Sequence, residues 1–308
     1  MILAIIDIGT NSVKYLLAET GREKNPTVLK DNIRITKLGE GLRETGLINP
    51  SAFRRTVGAV DEFVIDAKKN RADDIHIVGT MALRSAANAG DFSEELKELT
   101  KIKTEILSGE EEAALSFYGA LSGFDLSNVK RYCTIDIGGG STELVFAEDG
   151  KIVSKSSFKT GALMFTEKFF SNEIVSKEDL NKADNELKRV FENVKPPFDT
   201  QLAIGIGGNV ISMAAVFKKL VEYVPKEVQG TELSEEEVER QIEEYSTKNL
   251  ERRRNITGLD PERADIILAG ACIVRYAMKF CGCRKIVVSE RGLRHGILYR
   301  MAGREHSK

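Results

Sequence analysis

Ile135-Asp136-Ile137-Gly138-Gly139-Gly140-Ser141-Thr142-Glu143 is the stretch on which the fold turns. An apolar run from Tyr132 to Ile137 closes on a carboxylate. Three glycines follow, then two hydroxyls, a second carboxylate and a further apolar run, Leu144 to Ala147. The pattern predicts strand, tight turn, strand, with a tip that is almost all backbone. Glycine lets main-chain N–H groups approach a ligand, as phosphate-cradling turns do. Gly138, Gly139, Gly140 and Ser141 are therefore candidate phosphate-binding residues. A carboxylate at each end of the tip suits a hard cation beside that phosphate, which makes Asp136 and Glu143 candidate metal ligands.

The pattern occurs once more, at the start of the chain. Ile6-Asp7-Ile8-Gly9-Thr10-Asn11-Ser12-Val13-Lys14 aligns with Ile135 to Glu143 at a constant offset of 129 residues. Asp7 matches Asp136, Gly9 matches Gly138, Ser12 matches Ser141, and Lys14 falls opposite Glu143. The match continues as Tyr15-Leu16-Leu17-Ala18 against Leu144-Val145-Phe146-Ala147. One glycine turn alone would be an ordinary hairpin. Two copies, each heading a half-chain, point to duplication of a phosphate-binding lobe. Gly9, Thr10, Asn11, Ser12 and Lys14 become phosphate-binding candidates, and Asp7 a metal-ligand candidate.

A chain of 308 residues has room for two domains of ordinary size. With 42% hydrophobic and 30% charged residues it reads as globular and water-soluble. A net charge of −2 implies no bulk attraction to nucleic acid or to a membrane surface. No apolar run approaches the roughly 18 residues of a membrane span. Met1 to Ile6 lacks a basic leader and a cleavage pattern, so it reads as a strand and not a signal peptide. The four cysteines suit a reduced, cytoplasmic protein without a disulfide framework. Cys281-Gly282-Cys283 has no second ligand pair nearby in sequence, and the scattered histidines suggest no zinc site.

Along the chain, Thr27 to Thr36 reads as a strand, and Asn49-Pro50 opens a helix to about Asn70. Asp74 to Gly79 reads as a buried strand. Small residues then surround Arg84, which is either a surface arginine or a cation held over phosphate. Lys103 to Leu107 is a strand, and Ser108 caps a helix whose first turn holds Glu110, Glu111 and Glu112. Acidic residues favour that position through the helix dipole. The helix also starts at a strand's carboxyl end, where α/β folds place their ligands, so one glutamate there could serve as a general base. Gly123 to Lys130 is polar and turn-rich, and the domain junction is placed there.

In the second half, Gly161 to Phe170 and Ser176 to Asn193 read as helices, and Gln201 to Ile206 as a strand. Gly207 and Gly208 then open an apolar helix, either for close packing or to offer N–H groups to an anion. Ser234 to Tyr245 is an acidic amphipathic helix. Glu251-Arg252-Arg253-Arg254 reads as a solvated charge run. Asp260-Pro261-Glu262-Arg263 has a cap, a first-turn proline and an acidic first turn, and predicts the start of a long helix to Phe280. Lys285 to Ser289 is the last strand and Leu293 to Met301 the last helix.

Taken in order, Ile6 to Lys14, Thr80 to Asn88, Ser108 to Ala113, Ile135 to Glu143, Gly205 to Asn209, Gly258 to Gly270 and Gly292 to Gly296 resemble the exopolyphosphatase / guanosine pentaphosphate phosphohydrolase family. That family shares its architecture with actin, sugar kinases and chaperone ATPases. The resemblance implies an α/β fold of two actin-like (ribonuclease H-like) domains, with mixed sheets flanked by helices and an active-site cleft between them. Domain I would cover residues 1–125 and domain II residues 126–290. In relatives a last helix, here about 291–308, packs back on domain I. Larger members carry added C-terminal domains.

The resemblance also implies a Mg²⁺- or Mn²⁺-dependent hydrolase acting on inorganic polyphosphate or guanosine pentaphosphate. Glu112 falls on the family's proposed general base and Glu143 on its second catalytic carboxylate. Asp7 and Asp136 fall on the loop aspartates near metal and phosphates, and Arg84 on the arginine of a Thr-x-Ala-x-Arg motif. A homodimer is within the family's range. Two departures bear on substrate preference: Asn209 stands where Thr is common, and His295 where an acidic residue is usual. A phosphotransferase, as in the sugar kinases, and a catalytically weak polyphosphate or alarmone sensor are the rival readings.

Overall fold

The computed structural model describes residues 1–21, 26–170 and 174–303. Two compact units divide the chain: Met1–Gly119 together with the segment that begins at Leu293, and Ala120–Gly292. The division between Gly119 and Ala120 falls near the end of the Gly109–Leu121 helix. Among the described residues no helix is long and apolar enough to cross a membrane.

The first unit is built on a five-stranded sheet. Its strands are β1 (Ile2–Ile8), β2 (Ser12–Glu19), β3 (Thr27–Ile35), β4 (Asp74–Gly79) and β5 (Thr104–Ile106), in the order β3-β2-β1-β4-β5. The first three form an antiparallel meander, and β4 and β5 add in parallel. Alternate residues of a strand face opposite sides. Ala4, Ile6 and Ile8 accordingly join one core with Val57, Val60, Phe63 and Val64 of the Pro50–Lys69 helix. Leu3 and Ile5 join another with Leu115, Leu293, Ile297 and Leu298. A strand covered on both faces needs a near-continuous apolar run, which Ile2 to Ile8 supplies. The Pro50–Lys69 helix starts where Asn49-Pro50 predicts, the Asn49 side chain accepting from the Ser51 and Ala52 N–H groups.

The Leu293–Met301 helix packs in this unit, against the Gly109–Leu121 helix. Residues 304–308, the tail of the region expected to fold back, lie outside the described residues. A Cβ added at Gly296 would stand 1.9 Å from the Leu115 carbonyl oxygen. Backbone cannot yield as a flexible side chain does, so Gly296→Ala forces the two helices apart. The expected cost is about 1–3 kcal/mol, read as a lower midpoint in urea with an unchanged slope.

The second unit repeats the plan. Its strands are β6 (Arg131–Ile137), β7 (Thr142–Glu148), β8 (Lys151–Phe158), β9 (Leu202–Ile206), β10 (Glu232–Ser234) and β11 (Lys285–Val288). The order is β10-β11-β9-β6-β7-β8. Again an antiparallel meander leads, and β9 and β11 follow in parallel, with β10 antiparallel at the edge. The duplication reaches detail. The meander in each unit has an irregularity in its second strand, between Leu17 and Ala18 and between Phe146 and Ala147, at the same offset of 129. The Ile267–Phe280 helix is buried along most of its length in the core of this unit.

Three expectations need correction. The Asp260 cap does not open the long helix. Its carboxylate accepts from the Glu262 N–H (3.0 Å), but Pro261–Arg263 is one 3-10 turn, and the α-helix begins at Ile267. The Arg263 carbonyl accepts from the Ile266 N–H instead (3.1 Å), closing a tight turn that drives Arg263 inward. The charge run is not wholly solvated either. Arg253 is buried, and its Nε donates to the Tyr245 carbonyl at 2.6 Å. Burial lowers the affinity of that guanidinium for its proton. Finally, β10 and the Pro225–Val228 turn of helix lie where no element was expected, being too short for a periodicity to show.

Candidate active site

In the first unit the β1–β2 hairpin pairs Asp7 with Lys14, so both side chains share one face. Lys14 Nζ lies 3.8 Å from the Asp7 carboxylate. The turn is closed by the Gly9 N–H donating to the Ser12 carbonyl at 3.0 Å. A Cβ on Gly9 would sit 3.0 Å from that same oxygen, so the turn has little room for a side chain. The loop's carbonyls are then used by the neighbouring segment: Thr10 O accepts from the Gly39 N–H, and Asn11 O from those of Thr36 and Lys37. The Thr10 and Asn11 N–H groups make no hydrogen bond among the described residues. Asn11 is buried, and neither its Oδ1 nor its Nδ2 has a partner. A buried polar group left so costs about 1–3 kcal/mol. Several at one loop mark a place where a ligand supplies the partners.

Arg84 and Glu112 meet in the same unit. Arg84 lies in the last turn of the short Met81–Ser85 helix after β4, and Glu112 lies in the first turn of the helix after β5. Since β4 and β5 are parallel neighbours, both residues emerge at carboxyl ends of adjacent strands. Arg84 Nη1 donates to Glu112 Oε2 at 3.1 Å and to the Leu107 carbonyl at 2.7 Å. The three glutamates have separate tasks. Glu111 forms a reciprocal cap with Ser108: its carboxylate accepts from the Ser108 N–H (2.8 Å), and its N–H donates to Ser108 Oγ (3.2 Å). Glu110 is exposed. Glu112, on the arginine, is partly buried.

In the second unit the equivalent hairpin pairs Asp136 with Glu143. Two carboxylates thus stand side by side where the first unit has a carboxylate and an ammonium. Glu143 is 2% exposed, and Ser157 Oγ donates to its Oε1 at 2.8 Å. The loop repeats the first one. The Gly138 N–H donates to Ser141 O, Gly138 O accepts from Ala162, and Gly139 O from Leu163, while the Gly139 and Gly140 N–H groups make no hydrogen bond among the described residues. Gly161 lies directly beneath, where a Cβ would fall 2.4 Å from Gly140 N. The third loop joins this cluster. Gly207 has φ +96°, and a Cβ there would meet Ile137 O at 2.7 Å and Asp136 Oδ1 at 3.0 Å.

Two residues of this arrangement escape a reading of the sequence. Gly161 reads as an ordinary helix start. Arg263 is 7% exposed, and its guanidinium lies against the Gly208 Cα, where an added Cβ would be 2.3 Å from Nη1. Burial lowers its proton affinity, and Asp260, 3.8 Å from Nε, works in the opposite direction. The second glycine of the Gly207-Gly208 pair was the available signal, since it implies close approach by some other group.

A hard divalent cation fits the second unit's donors. Asp136 and Glu143 offer adjacent oxygens whose mutual repulsion a cation relieves. Among the described residues no three His, Cys, Asp or Glu side chains form a ready metal cage. Mg²⁺ asks for none, because it takes one or two carboxylates and completes its octahedron with water and phosphate. Asp7, the third expected ligand, belongs to the first unit and has Lys14 beside it.

Residues 17–305 match the Ppx/GppA phosphatase family. The chain is 31% identical over 300 residues to a bifunctional 3-dehydroquinate synthase/phosphatase of Fusobacterium nucleatum, covering 93% of this chain and 44% of that protein. It therefore spans less than half of that relative's length. It is 26% identical to exopolyphosphatase 2 of Mycobacterium tuberculosis, over 98% of each chain. Among solved structures, the Aquifex aeolicus Ppx/GppA protein superposes with a TM-score of 0.82 at 27% identity, covering 100% of this chain and 99% of that one. The shared duplicated fold and the near-complete match place this chain in the Ppx/GppA phosphatase family.

Proposed function

We propose that the protein is a Mg²⁺-dependent exopolyphosphatase, releasing the terminal phosphate of inorganic polyphosphate with Glu112 as general base. The observation that carries this reading is the pairing of Arg84 with Glu112 in a unit whose glycine loop has buried, unbonded polar groups. The name of the M. tuberculosis relative, matched end to end, supports the substrate class.

In the first unit the N–H groups of Thr10 and Asn11 bind phosphate oxygens, and in the second unit those of Gly139 and Gly140 do the same. Lys14 and Arg84 add fixed positive charge, and Arg263 with the Gly207-Gly208 turn extends the anion-binding surface of the second unit. A terminal phosphoryl group competes with Glu112 for Arg84. As Arg84 turns to the phosphate, Glu112 is freed to orient a water molecule and take its proton. The water oxygen bonds to the terminal phosphorus, the bridging P–O bond breaks, and its electron pair leaves with the shortened chain. Asp136 and Glu143 of the second unit would hold Mg²⁺, which would supply positive charge to phosphate oxygens.

The test is phosphate release from long-chain polyphosphate and, separately, from guanosine pentaphosphate, each with and without Mg²⁺. Mg²⁺-dependent release from polyphosphate is expected. Release from the nucleotide alone would move the substrate to that of the relative from Vibrio cholerae named guanosine-5'-triphosphate,3'-diphosphate pyrophosphatase, 25% identical over 97% of this chain. Formation of ATP from ADP and polyphosphate, with no free phosphate, would overturn hydrolysis in favour of phosphoryl transfer.

A further inference from the structure

We infer that Arg55 is a positioning residue for phosphate binding, holding segment 36–39 as a clamp on the glycine loop of the first unit. The inference rests on the reading of that loop as a phosphate site. The clamp follows β3 and grips the loop through its backbone. The Thr36 and Lys37 N–H groups both donate to Asn11 O, at 3.1 and 2.9 Å, and the Gly39 N–H donates to Thr10 O at 2.8 Å. In a trans peptide the C=O and the following N–H point in opposite directions. A Thr10 carbonyl drawn to Gly39 therefore turns the Asn11 N–H away from the clamp. An Asn11 carbonyl drawn to Thr36 and Lys37 does the same for the Ser12 N–H. The clamp thus sets the direction of the loop's donors. It fits closely: a Cβ on Gly39 would stand 2.2 Å from Thr10 Cγ2. The buried Thr36 hydroxyl, like the Asn11 side-chain amide, has no hydrogen-bond partner among the described residues.

The clamp does not hold itself. Lys37 sits at φ +50°, in the left-handed region where a residue with a Cβ is strained. Such a residue persists only where its surroundings fix it. The Glu40 N–H closes the turn on Lys37 O at 3.0 Å. Arg55, on the Pro50–Lys69 helix, then fastens both ends of that turn. Its Nε donates to Thr36 O at 3.1 Å and its Nη2 to the Glu40 carboxylate at 3.0 Å, while Nη1 donates to Ser51 Oγ at 3.2 Å on its own helix. A planar guanidinium serves three acceptors in fixed directions, which a flexible ammonium does not. The second unit reaches the same end by other means. There Gly138 O accepts from Ala162 and Gly139 O from Leu163, the first residues of the Ala162–Phe169 helix. N–H groups in the first turn of a helix have no partner within it, so that clamp comes preformed. In the first unit the clamp is irregular chain, and the arginine stands in for the helix.

The experiment measures binding of inorganic tripolyphosphate to the whole protein by calorimetry, with chelator present so that no turnover intrudes. Arg55→Met should weaken binding by about tenfold, the loss of a charge-assisted hydrogen bond or two from a loop no longer held. Arg55→Lys, which lacks the planar fork, should lie between. On long-chain polyphosphate with Mg²⁺, Arg55→Met should raise KM and leave kcat within a few-fold, since Glu112 and Arg84 keep their places. Arg55 and Glu40 are 44% and 49% exposed, so the melting temperature should stay within about 3 °C of the parent. Gly39→Ala presses on the stiff Thr10 side chain without touching Arg55, and should weaken binding as well. Arg34→Met is the control. It breaks another ion pair between β3 and the same helix, Arg34 to Glu62 at 2.7 Å, and should leave binding unchanged. Binding by Arg55→Met as tight as by the parent, or an equal loss in Arg34→Met, would overturn the clamp alone. No binding by the parent would overturn the phosphate reading of the loop and the clamp with it. If the parent binds but does not hydrolyse polyphosphate, the exopolyphosphatase reading fails, while weaker binding by Arg55→Met still supports the clamp.

Discussion

Replacing Glu112 with glutamine is expected to lower kcat on polyphosphate by about 100- to 10,000-fold, with a melting temperature within about 3 °C of the parent. Glutamine keeps the side chain's length and an oxygen that can accept from Arg84 Nη1, now 3.1 Å from the carboxylate. Arg84 also keeps its bond to the Leu107 carbonyl. What is lost is the ability to take a proton from water. The pair is partly exposed, with side-chain exposures of 25% and 13%, so its loss should cost little stability. Glu111→Ala is the opposite control. It removes the cap on Ser108 and should cost about 0.5–2 kcal/mol of stability, while kcat stays within a few-fold. If Glu112→Gln instead lowered the melting temperature and spared turnover, the Arg84–Glu112 pair would be structural, and the base would have to be sought elsewhere.

The duplicated hairpins were legible because their information is local. A strand, a glycine turn and a second strand occupy nine consecutive residues, and antiparallel pairing fixes which side chains share a face. The repeat carries over to the register: Asp7 faces Lys14 on β1 and β2 as Asp136 faces Glu143 on β6 and β7. The capping role of the glutamates was legible in kind but not in person. Position three from Ser108 selects Glu111 as its partner, while the reach of Glu112 to Arg84, 28 residues away, depends on β4 and β5 being neighbours. Contacts carried by tertiary packing left no periodic trace. Arg263 against Gly208, Gly161 beneath Gly140, and Arg253 bonded to Tyr245 O each join segments whose own patterns fit a surface arginine or a routine cap. The Asp260 signal failed for a related reason: a good cap and a proline favour a helical start, but burial of Arg263 and Ala264 turned the chain before a second turn could form.

Glu143→Gln should separate function from stability by moving them in opposite directions. Like charges directly opposite on a sheet face destabilise it, and Asp136 and Glu143 are register partners on β6 and β7. Removing one charge should leave the metal-free protein as stable as the parent or more so, because glutamine can still accept the 2.8 Å hydrogen bond from Ser157. Turnover should fall by about 100- to 1,000-fold, and the Mg²⁺ concentration giving half the maximal rate should rise by more than about tenfold, since one of the two proposed carboxylate ligands is gone. Unfolding in urea with chelator present, beside phosphate release across a Mg²⁺ titration, measures both arms. A stability retained at the cost of function is the mark of groups kept together for a ligand and not for the fold. The first unit supplies the internal comparison. There evolution of the same hairpin put Lys14 opposite Asp7, a pair that neutralises itself. Lys14→Gln should therefore leave the Mg²⁺ dependence unchanged while weakening the apparent affinity for polyphosphate. A Glu143→Gln variant that lost stability and kept its Mg²⁺ response would mean that the second carboxylate serves the sheet and that the cation, if required, binds elsewhere.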